Sequence, residues 1–286
     1  MNETGQRRFW QVVNWSIVSV WRWWCVIFCV AVFVLIGASS AFRGIALAAD
    51  SAPSVTVRDV LLIAFSGPQQ SDMSMRSFLP WFFPQLLFFV FTGDNVSGEL
   101  CHRGYAVLPR VGSRRIWWGA KVMVLCLFAL GYSLLGMGSG LVGVMLVGQP
   151  FWSMNAFTQP LLFDDICGSN GGKLLFWLGI LWSSTLFALS ACQALCAMVT
   201  RRSVYGLIMI IIVVLASVLL GIVHADLVRW LPGSQFILLR HTICDSQVPN
   251  FSLVWSLLYN TIVAGSAISA GYFYIARLDI LSFDEH

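Results

Sequence analysis

Few residues in this 286-residue chain are of a type that does chemistry, and they are scattered. The four histidines, His102, His224, His241 and His286, fall between or after the apolar runs, and none begins the H-E-x-x-H pattern of a helical zinc site. An acidic pair, Asp164 and Asp165, lies in a Pro/Gly/Asn-containing segment. With His224 and His241 it makes the one set from which an acid–base centre acting on lipid can be assembled. Of the eight cysteines, Cys25/Cys29 and Cys192/Cys196 are i, i+4 pairs inside apolar runs and, like Cys126, read as small buried apolar residues rather than metal ligands. Cys167 and Cys244 lie in loops that the charge pattern places outside, where a disulfide between them is permitted.

Two glycine patterns suggest nucleotide chemistry and fail on context. Gly138, Gly140 and Gly143 satisfy G-x-G-x-x-G, but they sit inside an apolar run, without the strand and soluble βαβ unit that the dinucleotide fingerprint requires. Gly136 and Gly140 form a GxxxG pair, which predicts close helix packing. Gly171, Gly172 and Lys173 are followed by Leu174, and a P-loop's first glycine would fall at Cys167. The chain has no Walker A motif, so any ATP-driven work needs another subunit to bind the nucleotide.

The elements that hold these residues follow from composition. The chain is 58% hydrophobic and 10% charged, against roughly 25% charged in soluble domains, and its mean hydropathy is +0.79. A soluble fold of this length would leave large apolar patches facing water, so the chain belongs in lipid. Its 17 Lys and Arg are too dispersed for a phosphate-binding surface, which excludes nucleic acid. Six apolar runs approach the roughly 20 residues that cross the hydrocarbon core: about 23–42, 77–93, 121–147, 174–200, 203–223 and 253–276. The expected fold is an all-α membrane protein with six transmembrane helices in a single domain over 1–286.

With the N-terminus inside, eleven basic residues fall on the cytoplasmic side and six outside. Both termini are therefore expected in the cytoplasm. The stretch from Arg7 to Trp24 mixes basic and aromatic residues as an interfacial helix does, and Arg22 interrupts the apolar core that a cleaved signal peptide would need. Val60 to Phe65 is too short to span and is expected to be a helix lying at the surface. The apolar stretch around Trp230 to Leu239 predicts a re-entrant or hairpin segment before span six. No span core contains a charge, which argues against intramembrane catalysis and ion coupling. Neutral polar groups do occur there, and Gln85, Gln193 and Asn260 are the candidates to face a pathway.

The segment between spans two and three is the most patterned. A polar stretch from Asp94 to Glu99 leads to Arg103, Gly104 and Tyr105, then Val107 and Leu108, Pro109, and a basic-aromatic return through Arg110, Ser113, Arg114, Arg115, Trp117 and Trp118. That order predicts a small cytoplasmic helix parallel to the membrane, ended by Pro109. It resembles the type-2 ABC transporter permease family, in which an acidic residue, a glycine, an apolar run, Pro with Ser-Arg, and then Gly and Lys connect these spans. Glu99, Gly104, Val107, Leu108, Pro109, Ser113, Arg114, Gly119 and Lys121 hold those positions here, with a longer interval from Pro109 to Ser113.

The resemblance implies that this helix is the coupling helix. Glu99, Arg103, Gly104, Tyr105, Val107, Leu108, Arg110 and Arg114 would then meet a separate ATPase subunit, present in two copies and carrying the ATP and Mg. It also implies a second permease, identical or homologous, and a place in the plasma (inner) membrane as an exporter of amphipathic or apolar substrates. The chain itself would not be an enzyme. Two other readings stay open at this stage: a polytopic enzyme acting on lipid, and a non-transporting sensor or scaffold subunit.

Overall fold

The computed structural model of the chain describes residues 3–20, 23–48, 56–68, 75–111, 113–148, 171–244 and 251–277. Among them the regular elements are all helical: α1 (Glu3–Val20), α2 (Trp23–Ala48), α3 (Val57–Phe65), α4 (Met75–Val111), α5 (Arg114–Leu146), α6 (Gly171–Thr200), α7 (Ser203–Val223) and α8 (Leu253–Arg277). Three 3-10 turns, Ala225–Trp230, Pro232–Phe236 and Leu238–Arg240, precede α8. Five helices, α2, α5, α6, α7 and α8, are long and apolar enough to cross a bilayer, and α4 carries the shorter apolar stretch Ser77–Gly93. The protein is an all-α, multi-pass membrane protein.

The bundle is built around α6, which packs on α4, α5, α7 and α8. Its most apolar stretch is 56% buried against 22% for that of α8, so α6 is the central post and α8 a peripheral one. Helices α2 and α5 approach through glycines, as the GxxxG pair predicts: Gly37 lies on the Gly140 carbonyl, and Gly143 on the Val34 carbonyl. Gly136 receives the Phe33 ring, whose nearest atom would lie 2.6 Å from an added Cβ.

Three expectations are corrected. Helix α3 is not at the surface: Val57, Val60, Leu61, Leu62, Ala64 and Phe65 are all buried, and the Phe65 ring packs edge-on to Trp182 at 5.4 Å. A run that is apolar on every side has no face to give to water. Its buried Asp59 is held by a capping box, accepting from the Thr56 backbone N–H at 2.9 Å and the Thr56 hydroxyl at 2.7 Å.

The second correction concerns the connector. No separate short helix lies between the second and third spans, because α4 runs unbroken from Met75 to Val111. Pro109 stands in its last turn, and the break falls after Val111, ahead of Ser113. At 1.5 Å per residue α4 is about 55 Å long, well beyond the roughly 30 Å hydrocarbon core. Third, α5 begins at Arg114, seven residues before the expected start of its span. Ser113 is the reason: it is extended at φ −152°, and its hydroxyl accepts from the Ile116 N–H at 3.5 Å as an N-cap.

The segment before the last span, expected as a re-entrant or hairpin piece, packs on the bundle as three 3-10 turns. Pro232 and Gly233 interrupt any longer helix there. Phe236, Ile237 and Leu238 are fully buried, and the Gly233 N–H donates to Ser217 on α7 at 3.0 Å.

Candidate functional site

The earlier start of α5 places Lys121 two turns inside a helix, where its side chain is fully buried. A buried ammonium needs a counter-charge, and Glu99 on α4 supplies one through a direct ion pair. The other carboxylate oxygen of Glu99 accepts from the Trp117 indole N–H at 2.6 Å. The Lys121 nitrogen also lies 5.8 Å from the Trp117 ring centre and 5.9 Å from that of Trp15, adding cation–π attraction and drawing in α1. Trp118, one residue on, donates to the Ile268 carbonyl of α8 at 2.9 Å. The first two turns of α5 therefore tie α1, α4 and α8 to one another at the foot of the connector.

Sequence reading finds both Glu99 and Lys121 but not their pairing. The missing signal is the Ser113 cap: once α5 starts at Arg114, Lys121 is too deep to reach water and Glu99 becomes its partner. Trp117 and Trp118, expected as aromatic re-entry residues, are buried as helix pins.

Of the other connector residues, Arg103, Gly104, Tyr105, Val107, Leu108 and Arg110 belong to the helical backbone of α4. Their side chains lie outside the described residues. Arg114 is partly buried in the first turn of α5, and Arg115 lies 5.0 Å over the Tyr272 ring of α8.

The three candidate pathway residues are buried. Gln193 donates to the Phe89 carbonyl at 3.0 Å, joining α6 to α4, and Asn260 donates to Ser184 at 3.1 Å and Thr185 at 2.8 Å, joining α8 to α6. Both amides serve helix contacts in this conformation. Gln85 differs, since neither of its amide atoms has a hydrogen-bond partner among the described residues. The indole N–H groups of Trp81, one turn away on α4, and of Trp182 on α6 are likewise buried without partners. Such groups each cost about 1–3 kcal/mol.

At the far end of the bundle the turns hold two buried basic residues. Arg240 donates to Ser234 at 3.0 Å and to the Val218 carbonyl at 3.2 Å, so its cation sits near the C-terminal end of α7, where helix carbonyls favour positive charge. Burial lowers its pKa to about 10, which leaves it charged at neutral pH. His241 is fully buried and stacks on Phe251 with ring centres 4.1 Å apart. Its Nδ1 meets the Ile237 carbonyl at 2.9 Å, so that nitrogen carries the proton, and Nε2 accepts from the Ser256 hydroxyl at 2.7 Å. Both ring nitrogens are thus engaged and out of reach of a substrate. His224 is exposed at the end of α7, while Asp164, Asp165 and Cys167 lie outside the described residues and Cys244 is buried.

Desolvation lowers the pKa of His241 to about 4. The unfolded chain protonates this group near 6.5, so it binds more protons than the folded state between those values, and stability falls as pH drops from about 6.5 to 4. The expected loss is about 3 kcal/mol at the acid end. A thermal-unfolding series in detergent checks it, and His241→Gln flattens the slope.

No family model and no curated protein matches the sequence.

Proposed function

We propose that this chain is the permease subunit of an ATP-binding-cassette exporter, crossing the membrane six times with both termini in the cytoplasm. It works as a pair with an identical or similar permease and with two copies of a separate ATPase that binds ATP and Mg. The observation that carries this reading is the join between α4 and α5. The connector is an unbroken extension of the helix containing the second span, and Glu99 fastens it to Trp117 and Lys121 at the head of the third. A push on that extension acts on two spans at once, which is what an external ATPase requires of its membrane partner. The surface that meets the ATPase is formed by Arg103, Gly104, Tyr105, Val107, Leu108 and Arg110, with Arg114 beside it.

Gln85 supports a pathway role of a particular kind. An amide, buried without partners one turn from the likewise unpartnered Trp81 indole, gains hydrogen bonds when the helices rearrange or a polar group of the cargo arrives. Transport through the interface of paired permeases provides both events. The cargo is amphipathic or apolar.

Scrambling residues 100–108 while keeping Glu99 tests this assignment. The variant is expected to keep the wild-type unfolding temperature and to lose the ATPase that copurifies with the tagged wild-type chain. Retention of the ATPase by the scrambled variant overturns the assignment.

A further inference from the structure

A cavity of about 140 Å³ opens between α2, α4 and α5, with Cys25 and Cys29 on one wall, Phe88 on the second, and Phe128, Gly131 and Leu135 on the third. Gly131 leaves room at its edge: an added Cβ there would meet nothing within 4 Å. Three features define what it can hold. Its two hydroxyls are already engaged within the protein, Thr92 donating to the Phe88 carbonyl at 2.8 Å and Tyr132 to the Pro84 carbonyl at 2.6 Å. It therefore presents no free hydroxyl donor to a polar ligand, and its apolar lining suits a hydrocarbon.

Its shape is that of a chain. Along α5 it extends from Leu127 to Leu135, about 12 Å at 1.5 Å per residue, parallel to the spanning helices and so to the lipid tails. Its position is that of a bilayer lipid. Trp23 and Trp24, with ring centres 3.6 Å apart and tilted 30° to each other, are both exposed and stand immediately before Cys25 at one end, where an aromatic pair marks the membrane–water boundary. Phe28, Val90, Leu130 and Leu134, which flank the lining residues in sequence, are exposed to the surrounding hydrocarbon.

We propose that this cleft is a binding site for one acyl chain of a bilayer phospholipid in the leaflet nearest α1, with its headgroup at the level of Trp23 and Trp24. The site is independent of the permease reading and holds whether or not the chain works with an ATPase. Two of its walls, α4 and α5, are the helices joined by Glu99 and Lys121, so the bound chain packs beneath that join.

The test uses the full chain in nanodiscs of phosphatidylcholine doped with a phosphatidylcholine that carries a diazirine in mid-chain. After irradiation, adducts are mapped by peptide mass spectrometry. Adducts on 88–92 and 127–135 are expected to exceed, several-fold, those on the exposed α8 residues Val254, Leu258 and Ile262. Gly131→Phe, which fills the cleft, is expected to remove most of them while leaving the α8 adducts and the unfolding temperature unchanged. Leu127→Phe gives the same readout from a second position should Gly131→Phe fail to fold. Uniform labelling of all lipid-facing helices, or cleft labelling that persists in a folded, filled variant, overturns the proposal.

Discussion

Lys121→Met is expected to destabilise the protein by about 3–5 kcal/mol, since it leaves the Glu99 carboxylate buried with its cation gone. The remaining acceptor contact, from the Trp117 indole, does not replace a charge. Adding Glu99→Gln to that variant is expected to recover a substantial part of the loss, because two neutral groups no longer carry an uncompensated desolvation cost. A double-mutant cycle read by thermal unfolding in detergent measures the coupling. Additive single effects would show that the two side chains act separately and that the join between α4 and α5 rests on other contacts.

The second large effect is expected at Gly143. Its Cβ position lies against the Val34 carbonyl and near the Ala38 nitrogen of α2, so Gly143→Leu must push backbone from backbone. Overpacking that side chains absorb costs about 1–3 kcal/mol, and rigid backbone places this case at or above the upper end. Folded, monodisperse protein on size-exclusion is expected to fall to a small fraction of wild type. Gly138→Leu supplies the contrast within the same helix: nothing stands within 4 Å of its Cβ, and relief from glycine's poor helix propensity, about 1 kcal/mol, offsets any loss. Equal damage from the two substitutions would contradict the glycine seam between α2 and α5.

Charge spacing and apolar run length were enough to locate the helices that can span, because each is bounded by residues that lipid rejects. The same signals misplace what lies between them. Val60 to Phe65 is too short to span, and nothing local names its burial partners, Phe33 and Trp182. Pro109 is legible as a helix breaker, and the helix ends two residues after it, at Val111, with the next helix capped by Ser113. That cap is also why Lys121 meets Glu99 in a buried ion pair where the α4 extension joins the first turns of α5. The partners of Arg240 and His241 had no local signal, since Val218, Ser234 and Ser256 are brought to them by the fold of the 3-10 turns.

Coupling to an external ATPase is the central claim, and ATP hydrolysis by the affinity-purified assembly tests it most directly. The tagged chain is solubilised from the membranes of the cell that makes it, and vanadate-sensitive phosphate release is measured on the eluate. The expected result is hydrolysis that coelutes with the chain, carried by a second polypeptide bearing a Walker A motif in equal amount. A chain that elutes folded and without an ATPase, or that modifies lipid unaided by ATP, contradicts the account.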